Sequence, residues 1–266
     1  MSAQRELRAF WSLFYRDMLK LFRERARIIS ALTQPIIFLG IFGIGLKDVL
    51  GATGPFTELD YIQYIFPGVM GTNVLGLTIS SGVTLVADRE FGFLREVLVA
   101  PISRLTISLA KIAAGIGNAL VQVAMLLLLA PFLGLELGPL LVLKLLGAVS
   151  LLALATSALG LLIASRVRSV ESFQYLFQFL IFPIFFLSGA FFVLSKVPWW
   201  LRAVANINPL TYAIDLFRHI LYAPEHLSGQ SRDALILNSV ATDALVIAVI
   251  SIVLTAAATY SFTRQD

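Results

Sequence analysis

The chain has 266 residues, of which 58% are hydrophobic and 14% charged, and its mean hydropathy is +0.88. A soluble domain carries about 25% charged residues to clothe its surface, so this composition excludes a water-facing globule, and it excludes disorder as well. What remains is an all-α polytopic membrane protein whose solvent is mostly lipid. The net charge is +4, and seven of the twenty basic residues precede residue 28. That distribution points to anchoring at anionic membrane lipid and argues against nucleic acid. The absence of cysteine removes disulfides, thiolate nucleophiles and thiolate-bound metals.

Residues 1–27 are too charged to span a bilayer. Leu7, Phe10, Trp11, Phe14, Met18, Leu21 and Phe22 recur at steps of one, three and four, with Arg16, Lys20, Arg23 and Arg27 towards the other side. The pattern predicts an amphipathic helix lying in the interface. Glu6, Asp17 and Glu24 fit poorly with a cleaved signal peptide.

A bilayer core of about 30 Å needs roughly 20 apolar residues wound as helix. Residues 28–266 offer six uncharged runs of that kind: Ile28 to Leu46, Ile65 to Ala87, Ile112 to Leu133, Leu145 to Ala164, Phe173 to Val193 and Ala244 to Phe262. Each predicts a transmembrane helix, since a charge at mid-membrane costs about 2.5 to 3.5 kcal/mol. The runs are continuous and too long for the alternating ten-residue stretches of a barrel. Fourteen of the twenty basic residues fall on the side that holds both termini, which makes that side cytoplasmic.

Between the fifth and sixth runs, about residues 194–222, the chain is apolar but broken. Trp199 and Trp200 form an aromatic cluster, and Asn208 with Pro209 reads as the N-cap and first turn of a short helix carrying Tyr212. Asp215 and Arg218 are spaced to pair on that helix. The expectation is a re-entrant or interfacial helical hairpin on the outer face, with the Trp pair at headgroup depth.

Several chemistries are missing. No lysine follows a glycine, so there is no phosphate-binding loop. The six runs hold no Asp, Glu or His to serve as a proton relay. His219 and His226 lie in the outer loop without obvious carboxylate partners in sequence, and no metal site or catalytic residue is expected. Polar uncharged side chains do occur within the runs. Thr72, Asn73 and Thr78 in the second, with Gln174, Gln178, Phe182 and Phe185 in the fifth, are the candidates for lining a pathway; such a lining would suit an amphiphile better than an ion. Interhelical hydrogen bonding by the polar residues is the competing explanation.

The connection between the second and third runs is the most informative. From Asp88 to Arg104 it reads DREFGFLREVLVAPISR, with Phe91, Leu94 and Leu98 as an apolar stripe, Arg89, Glu90, Arg95 and Glu96 as charges, and Pro101 as a stop. A short amphipathic helix over about 88–101 is predicted, of the kind that docks in a partner's groove.

With this segment, the basic N-terminal helix, the six runs and the Asn208-Pro209-Leu210-Thr211-Tyr212 to Arg218 stretch, the chain resembles the type-2 ABC exporter permeases over essentially its whole length. The resemblance implies a transport subunit without its own ATPase site. Two copies of the chain would pair with two copies of a separate nucleotide-binding subunit that holds ATP and Mg. It also implies that residues 88–101 are a coupling helix whose Arg89, Glu90, Phe91, Leu94, Arg95, Glu96 and Leu98 contact that ATPase, in the cytoplasmic (inner) membrane. Cargo would be a drug, lipid or polysaccharide-linked lipid moved outward. The alternatives are a self-sufficient channel or facilitator, and, against the missing acid/base chemistry, a membrane enzyme acting on lipid.

Overall fold

The computed structural model describes residues 3–23, 25–45, 61–92, 102–191, 193–194, 197–222 and 235–264. Among them the chain is all-helical, with no strand. The N-terminal helix α1 covers Ala3–Arg23. Helix α2, Arg25–Phe38, contains Pro35 and loosens into a π turn at Leu39–Ile44. A nearly continuous rod follows, α3 at Tyr61–Ser80 and α4 at Gly82–Glu90. Then come α5 at Arg104–Leu127, α6 at Pro139–Arg166, α7 at Val170–Phe186, α8 at Trp199–Ala205, α9 at Pro209–Tyr222 and α10 at Val240–Thr263.

Local chemistry sets these boundaries. Ser103, Ser169 and Ser239 each accept the backbone N–H three residues on, capping α5, α7 and α10. Gly138 and Pro139 start α6. Gly92, at φ 82°, ends the rod just past Glu90.

Among the described residues, four helices are long and apolar enough to cross a membrane: Tyr61–Glu90, Arg104–Leu127, Pro139–Arg166 and Val240–Thr263. The first and fifth sequence runs form shorter apolar helices, Leu32–Ile41 and Val170–Phe186. The fifth stops early because Pro183 sits in its last turn and Gly189, at φ 72°, reverses the chain. Ala190 is thereby brought against Gly68, where an added Cβ would lie 2.8 Å away. The third run starts sooner than its apolar residues suggest, because the Ser103 cap draws Arg104 and Lys111 into α5.

Helix α6 is the hub. It packs against α10, α5, α3, α4 and α9, and its contact face carries Ala153, Ser157, Gly160 and Ala164, all buried. A Cβ on Gly160 would sit 2.6 Å from the Ile79 carbonyl oxygen, and one on Gly82 would sit 2.6 Å from that of Gly160. Two helix backbones therefore touch where neither has a side chain. Helix α10 lays Asp243, Ile247, Ser251 and Ala258 inward, while Leu245, Val249 and Ile252 face outward.

Where the hairpin is expected the chain forms two short helices, α8 and α9, of unequal burial. Trp199 is 83% and Trp200 55% exposed, whereas Leu210, Ile214, Asp215, Phe217 and Arg218 are buried. Asn208 caps α9 as expected, its Oδ1 accepting from Leu210 N at 3.0 Å and its Nδ2 donating to the Ile184 carbonyl at 2.7 Å. Tyr212 Oη donates to the Asn206 carbonyl at 2.6 Å. The expected Asp215–Arg218 pair is absent. Asp215 accepts from the Leu237 and Asn238 amides, while Arg218 donates to the Leu235 and Gly189 carbonyls. Leaving those backbone groups unmatched in a buried setting would cost more than a same-helix ion pair of a few tenths of a kcal/mol returns.

Replacing Gly160 by Leu is expected to remove about 1–3 kcal/mol or more of stability by forcing α6 off α3. Gly147→Leu serves as the control, because a Cβ there meets nothing within 4 Å. Thermal unfolding in detergent should show a lowered midpoint for the first variant and an unchanged one for the second.

Candidate functional site: a lateral groove and a charged end

Two features of the bundle carry chemistry. The first is a cavity of about 470 Å³ between α2, α3 and α7. On α3, Val69, Thr72, Asn73, Gly76, Leu77 and Ser80 face it, the three-to-four spacing of a single helix side. Gln34, Pro35 and Phe38 supply the α2 wall, and Phe177, Ile181, Phe182 and Phe185 the α7 wall. Phe38, Phe185 and Phe191 cluster with ring centroids 4.8 to 6.1 Å apart. The Thr72 and Ser80 hydroxyls donate to the Val69 and Leu77 carbonyls of their own helix; Asn73, Gln34 and the aromatic rings complete the lining. The outer side of α7 is apolar and open, with Tyr175 at 74% and Phe179 at 78% exposure.

Of the pathway candidates, Thr72, Asn73, Phe182 and Phe185 meet in this groove. Thr78 does not. It lies on the opposite side of α3, fully buried, donating to Thr156 Oγ1 on α6 at 2.6 Å. At about 100° per residue, position 78 is turned away from the face shared by 72, 73, 76 and 80, so its hydroxyl serves helix packing. Gln174 and Gln178 are exposed on α7 and are not among the lining side chains. The α2 wall escaped the residue-by-residue reading; Gln34-Pro35 within an apolar run was its signal.

The second feature lies at the far end of the rod, where α1 crosses α5. Lys111 Nζ is 2.9 Å from Asp17 Oδ2 and 3.1 Å from Asp88 Oδ2, and Arg16 Nη2 is 2.9 Å from Asp17 Oδ1 and 3.1 Å from Asp88 Oδ2. Lys111 and Asp17 are buried. Two cations alternate with two anions, which makes desolvation of all four tolerable. One turn from the chain start, Glu6 accepts from the Ser103 amide and hydroxyl and from the Thr106 hydroxyl, tying α1 to the cap of α5. The amphipathic helix thus buries a polar stripe, with Asp17 and Leu21 innermost, while Leu7, Trp11 and Phe22 are exposed. The apolar face read from sequence is split, half packed on α5 and half turned outward.

The segment expected to meet an ATPase begins here. Arg89 Nη1 donates to the carbonyls of Ala164 and Val167 at 3.3 and 2.9 Å, capping the end of α6. Glu90 Oε2 accepts from the Val170 amide at 3.0 Å, at the start of α7. Both residues belong to the rod and hold the α6–α7 link, so the predicted helix does not begin at Asp88. Phe91, 83% exposed, is the first side chain past the rod. Leu94, Arg95, Glu96 and Leu98 lie outside the described residues.

Comparison with known proteins gives this architecture a family. The ABC-2 type transporter model matches residues 8–222, and the chain belongs to that family. It is a multi-pass membrane protein, the membrane subunit of an ABC transporter, in a family that pairs with an ATPase subunit. It is 31% identical to the putative transport permease ycf38 of Cyanophora paradoxa, over 78% of this chain and 72% of the relative. It is 28% identical to nodulation protein J of Rhizobium leguminosarum bv. trifolii, over 74% of each, and 24% identical to the inner membrane transport permease YadH of Escherichia coli K12, over 72% and 75%.

Asp17→Asn leaves the buried Lys111 short of one partner and is expected to destabilise the α1–α5 contact by about 3 kcal/mol. Adding Lys111→Met should restore most of the loss, since the Arg16–Asp88 pair survives; a double-mutant cycle on thermal stability reads this coupling.

Acid should release α1. Hydrogen bonds from Thr106 and Ser103 hold the Glu6 carboxyl below its ordinary value, and although burial pushes the Asp17 carboxyl up, Lys111 and Arg16 outweigh it and hold it low. A depressed carboxyl stabilises the docked state above its unfolded pKa of about 4 and loses that effect as pH falls through the folded value. Hydrogen exchange in α1, corrected for intrinsic rates, should therefore accelerate below about pH 4 while α6 stays protected.

Proposed function

We propose that two copies of this chain form the membrane part of an exporter that moves an amphiphilic substrate, a drug, lipid or glycan-linked lipid, outward through the inner membrane. Two copies of a separate ATPase subunit, which binds ATP and Mg, supply the energy through residues 88–101. Both termini, with the charged end, are cytoplasmic. Helices α2 and α7 complete the set of six spans, and the α8–α9 hairpin re-enters at the outer face.

The observation that carries this reading is the groove. It presents amide and aromatic groups, and two of its walls, α2 with its π turn and α7, carry exposed apolar side chains, among them Ile36, Ile37, Ile41, Phe179 and Phe182. A second copy set against those faces would enclose a route between the two grooves. An amphiphile gains from stacking on the phenylalanine rings and from a polar contact with Gln34, whereas an ion would find no charged side chain among the described lining residues.

The coupling route follows from the rod. ATP-driven approach of the two ATPase subunits would pull on residues 91–101, and Arg89 and Glu90 would pass that displacement to the end of α6 and the start of α7. Because α7 packs chiefly on α3 and α4, with lighter contacts to α2 at Phe38 and to the α9 cap at Asn208, it would move relative to α6 and widen the groove.

Phe91→Asp and Glu96→Arg are each expected to weaken association with the ATPase by roughly ten- to a hundredfold and to abolish nucleotide-dependent transport, with the protein still inserted in the membrane. Co-purification and flux in reconstituted vesicles measure both. Transport by the chain alone, indifferent to nucleotide, would instead make it a self-sufficient channel or facilitator.

A further inference from the structure

At the opposite end of the bundle from the charged network, the second arm of the hairpin meets the start of α10. Asp215 and His219 lie one turn apart on α9, and Asp243 lies in the first turn of α10. The ligand atoms of the three all fall within 4.8 Å of one another. Both aspartates are 0% exposed.

One residue holds all three from behind. The Asn238 amide donates to Asp215 Oδ2 at 2.8 Å, its carbonyl accepts from His219 Nε2 at 2.9 Å, and its side-chain Nδ2 donates to Asp243 Oδ1 at 3.1 Å. The Leu237 amide adds a further bond to Asp215 at 3.0 Å. A carbonyl at Nε2 keeps the proton on that nitrogen, so the neutral imidazole carries its lone pair on Nδ1, the form in which it would ligate. Asp243 Oδ2 is buried with no hydrogen-bonding partner and is turned towards the Asp215 carboxylate, an acceptor like itself.

Two buried carboxylates that face each other require positive charge between them. The Arg218 guanidinium acts on Asp215 through space but makes no bond to either carboxylate. Arg218 donates to the Leu235 and Gly189 carbonyls and stacks 4.4 Å over the Tyr64 ring. A shared proton and a divalent ion would each offset the facing carboxylates, and only the ion would also take up the imidazole lone pair. Two carboxylates and one imidazole make a mixed oxygen and nitrogen set that suits zinc and its first-row neighbours better than magnesium or calcium, which prefer oxygen alone. With three protein ligands, a fourth position is left for water.

We propose that Asp215, His219 and Asp243 bind a first-row divalent transition ion of the zinc type, which pins the second arm of the hairpin to the last apolar helix. The ion would act as a clasp, adding metal–ligand bonds to the packing of α9 against α10.

The test uses the full-length chain without a histidine tag, stripped with a chelator in detergent. Titration with Zn²⁺ against a chromophoric competitor should find one ion per chain, retained in excess Mg²⁺, with a raised thermal midpoint. Co²⁺ in its place should give the visible absorption of a four-coordinate oxygen and nitrogen site. His219→Ala and Asp243→Asn should weaken binding more than about 100-fold, and Asn238→Ala, which removes only the supporting donor, about 10- to 100-fold. His226→Ala should leave it unchanged. If a variant fails to fold, the stoichiometry and cobalt spectrum of the unsubstituted protein still decide. Absent or non-stoichiometric binding, or equal affinity in all variants, would overturn the proposal in favour of a proton shared by the two carboxylates.

Discussion

In hydrocarbon a leucine gains nothing by leaving lipid for protein, so the contact between Gly160 of α6 and the Ile79–Gly82 turn of the α3–α4 rod does what a hydrophobic core does in water. Backbone atoms meet backbone atoms there, dispersion is gained over a long flat contact, and Thr78 and Thr156 add one hydrogen bond beside it. With α6 fixed on the rod, α5 seats against Ser157 through Gly115 and α10 against Leu151 through Ser251. The rest of the bundle takes its position from that crossing.

The polar ends then decide what the bundle can do. At one end, Arg16, Asp17, Asp88 and Lys111 join three helices into a neutral knot, so α1 is bolted to the bundle, unlike an ordinary interfacial helix that floats on headgroups. At the other, Asn238 gathers Asp215, His219 and Asp243. Both clusters use residues from elements far apart in the chain, and Asp88, Lys111 and Asp243 all lie outside the uncharged runs, towards the ends of the helices that hold them, the depth at which an ionised group costs less.

That depth explains what was legible in the sequence. The apolar runs announced the helices because continuous uncharged length is a local property, and Asn208-Pro209 announced α9 because a cap is local too. The charged ends were not legible. Reading a span as an uncharged run clips Asp88, Lys111 and Asp243 from the helices that hold them, and no periodicity links Asp17 to Lys111. His219 seemed to lack carboxylate partners because one of them, Asp243, approaches only through the fold. Thr78 was grouped with Thr72 by composition, although the helical angle between them sets them on different faces. The groove was half legible: Asn73 and Phe182 stood out as polar and aromatic residues within apolar runs, but the part played by Phe38 depends on α2 lying beside α7.

The division of the bundle into a tight half and a loose half bears most directly on mechanism. Helices α5, α6 and α10 bury small residues against one another and carry the Ser165–Ser261 and Ser251–Leu151 hydrogen bonds. Helix α7 buries only Phe173 and packs mainly on the rod, with lighter contacts to Phe38 and Asn208. A load applied beyond Glu90 reaches both halves at once, α6 through Arg89 and α7 through Glu90, yet they resist it unequally. The tight half must shift as a block or not at all, whereas α7 can pivot about Phe173, at the end where Glu90 holds it. Its far end, bearing Phe182 and Phe185, then sweeps through the largest arc. In the proposed exporter that is the part of the groove nearest the hairpin, so a small displacement at the charged end would be read out as a change of aperture at the exit side. A clasp between α9 and α10 would keep the outer wall still while α7 moved beneath it.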